Sequence, residues 1–172
     1  MRAYSIAFAA LFLASPALAS PREDAACMVA RLSAADVTTI VDESLAGGSN
    51  EAVARLTPPL AACSAGQNWT PRRRAEAAAY AIGLVDRTTL GQRLAAKGID
   101  TGALDRWFGR QSLAFRTTAF MGMSEADMTT ALETLAGHEV PAPTLERDGG
   151  MIGGYLAALV IMERIDRGLG ME

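Results

Sequence analysis

The run Gly149-Gly150-Met151-Ile152-Gly153-Gly154-Tyr155-Leu156-Ala157-Ala158-Leu159-Val160-Ile161-Met162 holds no charge and a single hydroxyl. Wound as an α-helix it is apolar on every side, and a helix apolar all round belongs inside something. Glu146-Arg147-Asp148 precedes it and Glu163-Arg164 follows it, so the uncharged length falls short of the ~20 residues a membrane span needs. The stretch is therefore expected to be the central helix of a folded domain, covered by the rest of the chain. Each glycine in it costs roughly 1 kcal/mol of helix propensity relative to alanine. That cost is reasonable where other helices approach its backbone closely, or where the glycines mark its start.

The other long apolar run lies at the beginning. Met1-Arg2, apolar residues 3–14 and then Ser15-Pro16-Ala17-Leu18-Ala19 have the order of a secretory signal: basic start, apolar segment, small-x-small cleavage site. Cleavage after Ala19 is expected, leaving residues 20–172 as a single helical domain in the periplasm or outside the cell. An uncleaved anchor is the competing reading, against which Pro16 and the short run both count. The whole chain carries a net charge of −3, and residues 1–19 contribute one arginine and no acid, so the remainder stands at −4. Mild acidity argues against general nucleic-acid binding. A domain of this length can bury about two thirds of its unfolded surface and needs no metal to fold.

Cys27 and Cys63 are the two cysteines. In an exported chain they are expected to pair, and their wide spacing is unlike that of a redox-active Cys-x-x-Cys. The remaining sequence reads as helix after helix. Residues 22–32 form a short one carrying Cys27; Ser33 caps a second, with Val37, Ile40, Val41 and Leu45 on one face and Gly47-Gly48 as its stop. A third starts at Ser49 or Asn50 and is expected to break at Thr57-Pro58-Pro59, with Thr57 capping a separate turn that carries Cys63. Thr70-Pro71 opens a long helix to Lys97 and Gly98, in which Ile82, Val85, Leu90 and Leu94 form a buried stripe and Thr88-Thr89 and Gly91 are points of interruption. Asp100 caps an aromatic helix through Leu104, Trp107, Phe108, Gln111, Phe115 and Ala119. Ser124 opens another through Met128, Leu132 and Leu135 to Gly137, and residues 139–144 read as a proline-stiffened connector. No alternating β-branched run appears, so the fold class is all-α: a compact multi-helix bundle around a small-residue-rich central helix, with one disulfide.

An internal echo runs through this pattern. Leu32-Ser33-Ala34-Ala35-Asp36-Val37-Thr38-Thr39 parallels Met123-Ser124-Glu125-Ala126-Asp127-Met128-Thr129-Thr130, and downstream Ala79-Tyr80-Ala81-Ile82-Gly83-Leu84-Val85 parallels Gly154-Tyr155-Leu156-Ala157-Ala158-Leu159-Val160. One reading is a duplicated helix pair, which would bring Tyr80 and Tyr155 to one interior region with their hydroxyls bonded or facing a cavity. The other is chance likeness between capped amphipathic helices.

Little in the chain advertises chemistry. His138 is the one histidine and follows a helix end, where it interacts with the last carbonyls; a metal site would need more nitrogen or sulfur ligands. Gly-x-Ser-x-Gly and a phosphate-binding glycine loop are absent, so no catalytic residue and no cofactor is assigned. The local oddity is Trp69-Thr70-Pro71-Arg72-Arg73-Arg74: three cations in a first helical turn oppose the dipole. They suit an anion such as a phosphate or a lipid headgroup, or else Arg72 pairs with Glu76 and its neighbours reach nearby acids. Together these features point to an exported binding protein without catalysis, its partner most readily another protein. The alternatives are a carrier of a small apolar ligand, in a cavity near Tyr80, Tyr155, Phe115 and Phe120, and an enzyme of an unfamiliar kind. A buried, perturbed carboxylate in a cleft would favour the last.

Overall fold

The computed structural model describes residues 20–119, 130, 131, 133–135 and 140–170. Residues 1–19, Phe120, Ser124 and His138 lie outside these, as do residues 123–129 of the internal echo. Among the described residues no strand occurs, and seven α-helices are followed from end to end: α1 Pro21–Val29, α2 Ala34–Leu45, α3 Asn50–Ser64, α4 Pro71–Ala96, α5 Thr101–Arg110, α6 Leu113–Thr118 and α7 Ala142–Asp166; residues 130, 131 and 133–135 are helical as well. No described helix is long and apolar enough to cross a membrane.

The starts and stops follow local chemistry. The hydroxyls of Ser20 and Ser33 accept the N–H groups of Glu23 and Asp36, whose carboxylates accept the cap N–H in return. Thr70 caps α4 with Pro71 in the first turn, and Asp100 caps α5. Gly47 and Gly98 terminate α2 and α4 with φ of 74° and 78°, a backbone state that costs glycine nothing.

The central helix is α7. From Met151 to Ile165 no residue is exposed, and Ile152, Tyr155, Leu156, Val160 and Ile165 are buried. Its main partner is α4, which runs antiparallel to it: Gly83 meets Ala158 and Met162, while Gly91 meets Tyr155 further along. A Cβ at Gly91 would stand 3.3 Å from the Tyr155 ring, so this glycine allows close approach, and α4 passes through Thr88, Thr89 and Gly91 unbroken. On α7 only Gly154 is used this way, against Leu90 and Leu45; Gly149, Gly150 and Gly153 face open space.

Around this pair, α1, α2 and α3 form one flank. The Cys27–Cys63 disulfide ties α1 to the far end of α3 across a Cα–Cα distance of 6.1 Å. Against the expected break, α3 continues through Pro58 and Pro59. The two missing donors leave the carbonyls of Ala54 and Arg55 without helix partners, but both residues face solvent, where water replaces the lost bonds. Ala52, Leu56, Pro59 and Cys63 make one buried stripe that holds both halves in line.

Two further expectations are corrected. The aromatic helix is split at Gln111, because the Ser112 hydroxyl accepts the N–H of Phe115 and starts α6 afresh; Trp107 and Phe115 still meet edge to face, with centroids 5.6 Å apart. The connector at residues 139–144 is shorter than expected, since α7 starts at Ala142. Pro143 then falls in the first turn, where a missing N–H costs nothing.

Candidate functional site

Helices that meet through glycine and alanine leave little side-chain volume between them, so whatever covers the seam decides whether it closes. On one side of the α4–α7 seam the cover is the turn after α2. There the N–H of Gly48 reaches back to the carbonyl of Glu43 and that of Gly47 to Ser44, and the chain crosses to α3. The Glu43 carboxylate lies against Gly48 so closely that a Cβ would collide with it. Under this turn is a pocket of about 300 Å3, walled by Ala79 and Ile82 of α4, by Gly154, Ala157 and Ile161 of α7, and by Ser44. Its volume lies at the small end of the range for small-molecule sites.

Asp86 stands in this wall, one turn beyond Ile82. It is 5% exposed, and its Oδ1 has no hydrogen-bond partner among the described residues. Burial pushes its pKa up to about 7, and the Ser44 hydroxyl only partly offsets this. Among the described residues no other charged side chain lines the pocket. The remaining buried aspartates are treated differently. Asp24 accepts a two-pronged bond from Arg73, at 2.7 and 3.0 Å. Asp148 pairs with Lys97 at 2.9 Å and Arg147 at 2.7 Å, and the Lys97 bond foremost holds its pKa below the usual range.

The sequence singles out Tyr80 and Tyr155, and both are buried with bonded hydroxyls. Arg22 donates to the Tyr80 oxygen at 2.9 Å, and Tyr80 donates to Asp166 at 3.3 Å. Tyr155 donates to Asp105 at 2.8 Å, and Arg87 holds the same carboxylate at 2.9 Å. Burial is the first cause of the raised pKa of each tyrosine. Their four partners line one groove of about 310 Å3 on a different face of the α4–α7 pair, joined by the Arg116–Glu163 pair at 2.7 Å. The two tyrosines thus serve one region, but it is polar and charge-balanced rather than an apolar cavity. Phe115 lies apart from both, in a third hollow of about 390 Å3 with Trp107 and Ala119.

The arginine run is braced internally. Arg72 bonds Glu76 at 2.7 Å and the Gly168 carbonyl at 3.1 Å; Arg73 holds Asp24 and stacks over Trp69, its guanidinium carbon 5.1 Å from the ring centroid. The structure therefore gives Arg72 and Arg73 structural partners, and Arg74 is exposed.

Asp86 is the residue that sequence reasoning missed, although a signal was present. Ile82, Asp86, Leu90 and Leu94 recur every four residues, so the carboxylate falls in the stripe already marked as buried. A carboxyl titrating near neutrality can accept a proton or hold a cation. Among the described residues the pocket offers it the Ser44 and Ser49 hydroxyls as polar side-chain company. No family model matches the chain, and no curated protein or solved structure is similar to it at a significant level.

Proposed function

We propose that this is a non-catalytic binding protein whose pocket, under the turn between α2 and α3, takes a small and mainly apolar molecule bearing one polar group. The observation that carries this reading is Asp86, a buried carboxyl with a partnerless oxygen in a wall otherwise built of glycine, alanine, isoleucine and serine. Leaving a buried acceptor unmade costs about 1–3 kcal/mol, a cost that a ligand group bonded to it removes. Docking of a protein partner has less support: among the described residues the exposed large apolar ones, Leu45, Val53, Leu113 and Leu169, lie apart along the chain and share no helix.

The test is native mass spectrometry of the oxidised protein recovered from the periplasm, where the leader predicts it to reside, alongside an Ala157→Leu variant that fills the pocket. A discrete noncovalent increment on the wild type, absent from the variant, is expected. A bare mass for both, or an increment that Ala157→Leu retains, counts against the pocket.

A further inference from the structure

We infer that the pocket selects a cation, an alkylammonium or similar aliphatic amine in its protonated form, with Asp86 as its counter-ion; this rests on the small-ligand reading above. The ground is a comparison within the molecule. Three aspartates are buried among the described residues, and the fold provides a cation for two of them, Arg73 for Asp24 and Lys97 with Arg147 for Asp148. Among the described residues Asp86 has no salt-bridge partner, and it borders the pocket under the turn between α2 and α3. A buried carboxylate without a counter-ion tends to take up a proton instead, so a cation arriving from outside is what would hold Asp86 in its ionised form.

The surroundings agree with this occupant. The Ser44 hydroxyl beside Asp86 is a second acceptor for an ammonium, which carries several N–H donors and accepts nothing. From α3 the wall is Ala52, and from α7 it is Gly154, Ala157, Ala158 and Ile161, so among the described residues no element lining the site brings a positive group to it. Those apolar walls fit the hydrocarbon part of such a ligand, whereas an anion would meet Asp86 with no compensating charge.

The experiment is calorimetric titration of the full oxidised protein with butylammonium chloride and with 1-butanol, a pair matched in chain length and differing in head-group charge. At about pH 8, where Asp86 is largely ionised, wild type is expected to bind the ammonium about tenfold more tightly than the alcohol or better. At about pH 5, with Asp86 protonated, that preference should be lost, a readout that needs no variant. Asp86→Asn is expected to lose the preference at both pH values while still taking up the alcohol. Equal or tighter binding of the alcohol at the higher pH overturns the cation assignment and leaves the small-ligand pocket standing. Absence of binding by both probes overturns the two together.

Discussion

At the scale of single residues, Asp86 converts burial into a pH dependence whose sign can be worked out. Its pKa rises from an ordinary 3.8 to about 7 on folding, so below about pH 4 the carboxyl is protonated in both states and contributes no penalty. As pH climbs through the window between these values the unfolded chain ionises first, and above about 7 the fold bears the full cost, on the order of 4 kcal/mol. Asp86→Asn should therefore match wild type in urea unfolding near pH 4 and exceed its stability near pH 8 by up to about that amount; a difference independent of pH would exclude this origin. Asp148 acts in the opposite sense. Its pKa is held down first by Lys97, so the stability it contributes is present above the ordinary carboxylate range and fades as pH falls below it. The burial of Asp86 was legible in its four-residue spacing from Ile82 and Leu90. Its isolation was not, because that depends on Arg73 reaching Asp24 across 49 positions and on Lys97 reaching α7. The Arg72–Glu76 pair, one turn apart, needed no tertiary knowledge.

For the helices themselves, the glycines divide into those a neighbour requires and those nothing requires. Gly153 faces open space in mid-helix, so Gly153→Ala should raise stability by about 1 kcal/mol. Gly83→Ala should lower it: the new Cβ would stand 3.1 Å from Met162 Cγ and 3.3 Å from the Ala158 carbonyl oxygen, and a backbone atom has little room to give. Equilibrium unfolding in urea separates the two, and a gain at Gly83 would mean that the seam between α4 and α7 is looser than these distances require. Helix starts were readable in advance because a cap is a local device, as Ser33 with Asp36 and Thr70 with Pro71 illustrate. Pro58-Pro59 and Pro141-Ala142-Pro143 misled for a common reason. Local sequence signals a break in both places, but the outcome turns on which carbonyls face solvent and which turn of the helix receives the ring.

For the whole molecule, the disulfide is the covalent constraint on a fold otherwise held by helix packing. Its cysteines are 36 residues apart, for which loop-closure entropy gives about 4 kcal/mol, a large share of the 5–15 kcal/mol typical of a domain. Reductant is expected to lower the midpoint of thermal unfolding by several degrees or more, and an unchanged midpoint would show that α1 holds its place by packing alone. The all-α class and the Cys27–Cys63 pairing were legible because periodicity and a single possible connectivity settle them. The pocket was not, since it exists only where the turn after α2 crosses the α4–α7 seam. The position of α7 along the chain has a consequence for the order of assembly. The helix that fills the middle is the last of those described, so a chain made from its N-terminus can form α1 to α6 early but has nothing to close them on. Until residues 142–166 are present, α4 has an uncovered face along its length, and completion of the core waits on one long-range docking event that follows the synthesis of α1 to α6.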